Sequence, residues 1–149
     1  MIRPYLPNDL AAAAGVWYRA GMDEYDYLPL FQALSTADAT TIFRDRIAAE
    51  CTVWVHERDT QVDGFIAMAS DYIDRLYVDP LAQRRGVGTA LLAHAKQLHP
   101  EGLTLHTHQA NARARRFYEK HGFMASEFGV SPPPESVPDV LYTWAGDYG

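Results

Sequence analysis

The sequence predicts an α/β fold with strands and helices in alternating order. Three observations lead to that class. Strand-like apolar runs recur along the chain, helix-like periodicity separates them, and a two-glycine turn at Gly86-Val87-Gly88 joins a strand to a helix. The 149 residues are 48% apolar, enough for a real core, and no composition shift or internal repeat divides them. A single domain over residues 1–149 is expected.

Each element has a local reason. Ile2 to Tyr5 reads as a short first strand. Asn8 or Asp9 caps a helix to Ala20, and Gly21 ends it. Met22 to Phe31 has no clear period and is interrupted by Pro29. Ser35 and Asp38 form a capping box for a second helix to about Ala49, with Ala39, Ile42 and Phe43 on one face. Thr52 to His56 and Gly64 to Ala69 are strands joined by a polar turn, a hairpin pattern. The next strand, Asp74 to Val78, is stopped by Pro80. A helix from Ala90 to Leu98 ends before Pro100, and Leu103 to Thr107 is a strand. Asn111 as N-cap and Gly122 as C′ residue bracket a helix whose Ala114, Phe117, Tyr118 and His121 share a face. Strands near Phe123 to Phe128 and at Val140 to Trp144 flank a loop bearing Pro132-Pro133-Pro134.

Composition narrows the function. No apolar stretch approaches the roughly 18 residues of a membrane span, and the N-terminus lacks the apolar run of a signal peptide. No membrane partner is expected. Cys51 is the single cysteine, so no internal disulfide forms and a reducing cytoplasm suits the chain. A net charge of −6 argues against nucleic acid and mildly favours a cationic small substrate.

The segment Gln83-Arg84-Arg85-Gly86-Val87-Gly88-Thr89 carries the most information. Two glycines at a helix start let backbone N–H groups converge without side chains in the way. The helix N-terminus adds partial positive charge, so the spot favours phosphate, and Arg84 and Arg85 add formal charge. A P-loop would need a lysine after the glycine, and a dinucleotide fingerprint would need a third glycine where Leu91 stands. What remains, Gln-x-x-Gly-x-Gly after a strand ending Leu-x-Val-x-Pro, resembles the signature of the GCN5-related N-acetyltransferase family. A second segment, Asn111-Ala112-Arg113-Ala114-Arg115-Arg116-Phe117-Tyr118-Glu119-Lys120-His121-Gly122-Phe123, resembles the next motif of the same family, in the same order. The motifs are specific from Asp74 to Phe123, whereas residues 6–50 are generic.

The resemblance implies the acyl-CoA N-acyltransferase fold, a mixed α/β (α+β) class with a mostly antiparallel central sheet flanked by helices, and acetyl-CoA as the acetyl-donating cosubstrate, with no metal. Gln83, Arg84, Arg85, Gly86, Val87, Gly88, Thr89 and Asn111 become cofactor-binding candidates, with Leu76 and Val78 along the acetyl-pantetheine path. Phe117 joins that set by resemblance, although its helical position alone reads as a core aromatic. By residue-to-residue carry-over the Val78 N–H faces the thioester oxygen, a modest oxyanion hole. Tyr118 is the implied general acid, because a phenol with pKa near about 10 stays protonated beside a thiol near about 8.5. Asp74 is either the base or a carboxylate that holds a cationic amine; Asp71 is a fallback base that otherwise reads as a solvated turn residue, and Tyr72 is either a neighbour of the base site or a packing residue.

Other residues admit two readings. Tyr25 and Tyr27, in an acidic aromatic run, would line a site for an ammonium group or pack beneath a surface loop. His106 and His108 form His-x-His on a strand, a metal-ligand pattern without a matching third ligand in chemistry that needs no metal, so a catalytic or substrate-contacting role for one of them at the strand end is the better reading. Arg113, Arg115 and Arg116 read as a solvated face beside the cofactor phosphates. The expected activity is direct acetyl transfer to the primary amine of a small molecule. Two alternatives stand: acetylation of a protein lysine or N-terminus, and a catalytically silent acyl-CoA sensor. The last strand could close the cleft or pair with a second subunit, since homodimers are common in the family.

Overall fold

The chain opens with β1 (Ile2–Pro4), and Arg3 on this strand bonds both the Asp9 and Glu57 carboxylates. Of the two expected caps of the first helix, α1 (Leu10–Glu24), Asn8 lies inside the preceding 3₁₀ turn (Pro7–Asp9) and Asp9 stands at the N-cap position without a side-chain cap bond. Its carboxylate turns back instead, accepting from the Leu6 N–H at 2.8 Å and from Arg3. A guanidinium six residues away outcompetes the helix N–H groups for those oxygens. Gly21 does not end α1, which runs three residues past it to Glu24. The glycine is there for packing: a Cβ on Gly21 would lie 2.1 Å from the Phe31 ring. Phe31 belongs to α2 (Pro29–Gln32), a short helix in the stretch that showed no period.

Ser35 and Asp38 do form the capping box of α3 (Thr36–Ile42), which continues as a π-helical turn over Phe43–Ala48. The hairpin is also present. β2 (Thr52–Arg58) pairs antiparallel with β3 (Gln61–Ala69) through Asp59 and Thr60, both at positive φ, as a tight two-residue turn demands. The next strand, β4, spans Tyr72–Val78 and begins two residues earlier than its sequence pattern suggests. A 3₁₀ turn over Pro80–Ala82 leads to α4 (Val87–Leu98). Then follow β5 (Leu103–His108), α5 (Ala112–Lys120), β6 (Met124–Val130) and β7 (Pro138–Trp144).

A computed structural model describes residues 1–147, which group into two units. Met1–Ser70 with Asp74–Ala95 forms the first, and Asp71–Ile73 with the chain from Lys96 onward forms the second. Among the described residues the strand order is β1-β2-β3-β4-β5-β7-β6, a mixed and mostly antiparallel sheet with helices beside it. The expected fold class is present.

In the first unit, Ala13, Ala14, Val16 and Trp17 of α1 pack on Phe43, Ile47, Val53, Val55, Phe65 and Ala67. Phe43 and Phe65 are fully buried and meet edge to face at 5.1 Å. Burial of each such ring contributes about 1.5–3 kcal/mol. Phe65 and Ala67 alternate on β3 with Gly64 and Ile66, so opposite faces of the strand have different neighbours. Gly64 meets α4, and a Cβ there would lie 2.7 Å from Val87.

In the second unit, Tyr72 and Ile73 of β4 pair in parallel with Thr104 and Leu105 of β5. β5 pairs antiparallel with β7, placing Leu103 beside Trp144 and Leu105 beside Tyr142. Tyr118 and Phe123, at the end of α5, pack on that face with ring separations of 6.5 Å to Tyr142 and Trp144 respectively. The Lys96 ammonium donates to the His121 carbonyl at 2.6 Å and lies over the Trp144 ring, which ties off the C-terminus of α5. β6 pairs with β7 around an irregularity at Ala125/Glu127 and is exposed along its whole length.

Candidate active site

The turn before α4 has the backbone its sequence implied. Gly86 lies at φ +79 with open space where a side chain would project, and the Ala90 N–H donates to its carbonyl at 2.9 Å. The first turn of an α-helix leaves N–H groups without intrahelical partners, and α4 begins here at Val87. Val87 is buried against Gly64, which anchors the turn, while Arg84, Arg85 and Thr89 are exposed. Arg84 adopts φ +68, a left-handed conformation that costs a non-glycine residue roughly 1–2 kcal/mol. Backbone strain of this kind persists where the surroundings impose it, and it clusters at binding sites.

Asp79 connects this turn to β4. Its Oδ1 accepts from the Leu81 N–H at 3.1 Å, and its own N–H donates to the Asp63 carbonyl at 2.8 Å. Arg19 of α1 donates to Oδ2 through Nε and Nη2, at 3.1 and 2.5 Å. Sequence reasoning missed both residues. Asp79-Pro80 announced only a strand end, and Arg19 is an ordinary polar position on a helix.

β4 presents its residues to different surroundings. The Arg75 guanidinium lies 5.6 Å from the Trp17 ring centroid and donates to the Asp74 carboxylate at 2.5 Å. Burial, with the nearby Asp74 charge, pushes the Cys51 thiol up to about 11. Asp74 is therefore held by Arg75 and neighbours a thiol, neither of which the sequence announced. Leu76 and Val78 are half-buried. Tyr77 packs on Phe65 at 5.8 Å, and its hydroxyl lies 2.6 Å from that of Tyr25.

Tyr25 is thus one member of an aromatic cluster. Its ring contacts Tyr27, Phe31 and Tyr77, and burial raises its phenol well above the ordinary value. Tyr27 stands at the rim, 38% exposed. An alternation signal in β4 could have flagged Arg75 and Tyr77, because a strand with polar groups on two faces is unusual for a buried position.

In the second unit, Asn111 is buried and its side-chain oxygen accepts from the Ala114 N–H at 3.1 Å, the N-cap its position implied. Gly122 lies at φ +89, the C′ geometry. Tyr118 is buried, against Phe117 at 5.2 Å and Phe123 at 5.6 Å, whereas Phe117 is half-buried with its ring 4.7 Å from His121. Arg115 is not part of an open basic face. It donates to the Tyr142 hydroxyl at 3.0 Å, and that hydroxyl donates to Glu119. Arg113 and Arg116 are exposed.

The two strand histidines have separate partners. His106 Nδ1 lies 2.9 Å from the Tyr72 hydroxyl, and His108 Nε2 lies 2.6 Å from Glu135. Among the described residues, no group of three or more His, Cys, Asp or Glu could hold a metal ion. No helix of the described residues is long and apolar enough to cross a membrane.

The chain is similar to known proteins in sequence and in fold. A family model described as an acetyltransferase (GNAT) domain matches residues 49–125. The chain is 32% identical to the peptidyl-lysine N-acetyltransferase YiaC of Escherichia coli K12, over 83% of this chain and 82% of that protein. It is 33% identical to the peptidyl-lysine N-acetyltransferase YjaB of the same organism, over 72% and 71% of the two chains. The solution structure of apo-form YjaB from Escherichia coli superposes with a TM-score of 0.82 at 26% identity, covering 98% of this chain and 97% of that one.

Proposed function

The chain belongs to the GNAT family of N-acetyltransferases, and from that premise we propose that it moves the acetyl group of acetyl-CoA directly to the side-chain amine of a protein lysine. The observation that carries the donor half is the turn at Gly86: a left-handed glycine opening α4 beside two exposed arginines suits a pyrophosphate. The acceptor half rests on two relatives, at 32% and 33% identity, that are named peptidyl-lysine N-acetyltransferases. A small amine, the acceptor expected from composition, is the second reading. It is favoured by the net charge of −6 and by the aromatic cluster around Tyr25.

In the proposed reaction the neutral amine nitrogen attacks the thioester carbonyl carbon. The C–N bond forms, the C–S bond breaks, the amine gives up a proton and the CoA sulfur receives one. The family resemblance supplies the remaining roles, unit by unit. In the first unit residues 83–89 suit the cofactor pyrophosphate, Leu76 and Val78 its pantetheine arm, and the Val78 N–H the carbonyl oxygen; in the second, Asn111 and Phe117 hold the family's cofactor-binding positions and Tyr118 that of the general acid. Asp74 already accepts from Arg75, which suits it to holding the acceptor's ammonium group more than to taking its proton. Tyr25 and Tyr27 border the acceptor. The chain acts as one domain over residues 1–149, in a cytoplasmic setting, and a homodimer is compatible with the reading.

The test pairs calorimetric titration of acetyl-CoA, CoA, NAD and ATP with thiol-release assays on lysine peptides and on small amines. Selective CoA binding with turnover of lysine peptides supports the main reading. Turnover of polyamines or amino acids alone moves the assignment to the second. Binding without turnover on any amine would leave the acyl-CoA sensor.

A further inference from the structure

We propose that the Arg19–Asp79 pair is a positioning device that sets the entrance of the cofactor cradle from helix α1, an inference that rests on the acetyl-CoA reading above. Asp79 heads the 3₁₀ turn that leads into the cradle and is only 8% exposed. Three backbone-linked constraints meet at it. Its N–H is fixed to Asp63 on β3, its Oδ1 caps the 3₁₀ turn at Leu81, and its carbonyl accepts from the Ala82 N–H at 2.8 Å. The remaining oxygen, Oδ2, takes two bonds from Arg19. A buried carboxylate with one oxygen committed to a turn needs a donor on the other, and Arg19 supplies it from an element 60 residues away in the chain.

A second feature of α1 is arranged around the same guanidinium. A Cβ at Gly15 would lie 2.9 Å from Arg19 Nη1, so the arginine lies back across the helix over a residue without a side chain. Glycine inside a helix is disfavoured by helix propensity. Its presence one turn before Arg19 leaves the guanidinium room to reach Asp79. Since Asp79 is followed within four residues by Gln83, a shift at Asp79 moves the turn that carries Gln83, Arg84 and Gly86. Arg19 touches none of the reacting atoms. It acts through Asp79.

The experiment is a double-mutant cycle on CoA affinity, with Arg19→Met, Asp79→Asn and the double variant, each also measured for thermal stability. The Asp79→Asn change keeps an acceptor for the Leu81 N–H while losing the charge. Each single variant is expected to weaken CoA binding about two- to fivefold, and the double variant by no more than the larger single effect. Arg19→Lys should restore part of the loss. Gly15→Ala gives a readout that a merely structural role would not move: helix propensity raises its melting temperature while crowding of Arg19 weakens CoA binding. Unchanged CoA affinity in Arg19→Met, or effects that add fully in the double variant, would overturn the proposal. Failure of the unaltered protein to bind CoA at all would overturn the cofactor reading and the proposal with it. That outcome is told apart by appearing before any variant is made.

Discussion

The hydroxyl oxygens of Tyr25 and Tyr77 lie 2.6 Å apart, tying the residue just after α1 to the C-terminal end of β4. Burial chiefly, and then Tyr77, raise the Tyr25 phenol well above its ordinary value. The unfolded phenol ionises near about pH 10 and the folded one resists, so this contribution to stability is complete below that pH and is lost as pH rises past it. Melting temperature followed from pH 8 to 11 should therefore fall less steeply for Tyr25→Phe than for the unaltered protein. Equal slopes would show that Tyr25 ionises freely in the folded state. Tyr77→Phe should lower the Tyr25 pKa in an ultraviolet titration and raise KM for the amine more than KM for acetyl-CoA.

Tyr118 is buried by its ring against Phe117 and Phe123, so removing its oxygen should leave the packing in place. Tyr118→Phe is expected to lower kcat by about 10²-fold, the lower end of general-acid effects, with CoA affinity within about twofold. A matching loss of CoA affinity would assign the residue to binding instead of proton donation.

Gly86 and Gly64 should respond differently to alanine. Gly86 has open space around it and φ +79, so Gly86→Ala meets only the left-handed backbone penalty, about 1–2 kcal/mol. If the turn relaxes to avoid that penalty, CoA affinity falls while the fold survives. Gly64→Ala forces a Cβ to within 2.7 Å of Val87 and 3.2 Å of Leu91, an overpacking cost of about 1–3 kcal/mol in stability. Chemical denaturation and CoA titration of both variants separate the two. Equal losses of stability with equal CoA affinity would contradict this account.

Cys51 should be a slow thiol. With its acidity pushed up to about 11 by burial and Asp74, very little thiolate exists at pH 7.5. Alkylation by iodoacetamide should lag free glutathione and accelerate as pH climbs toward 11. Asp74→Asn removes a negative neighbour of the thiol, so it should speed the reaction at fixed pH. No acceleration would mean that burial alone protects the sulfur. The same variant should raise KM for the amine more than it lowers kcat, in keeping with Asp74 as a binding group.

Whatever is encoded within a few residues was legible in the amino-acid order. Ser35 with Asp38, Asn111 with Ala114, and Gly86 at the head of α4 are caps and turns whose chemistry lies inside one helical turn, and all three are present. The motif order, and the family with it, followed from such segments. Pairings of distant residues were settled by the folded chain alone. Gly21 read as a helix end because local rules know only the helix, whereas the ring it accommodates comes from Phe31. Asp9 left its cap for Arg3 on a neighbouring strand. Tyr25 with Tyr77, Arg19 with Asp79, and Cys51 with Asp74 meet only after β4 lies against its neighbours. A short-range pattern cannot announce these contacts, because each side chain chooses its partner from what packing brings near and from the cost of leaving a buried polar atom alone.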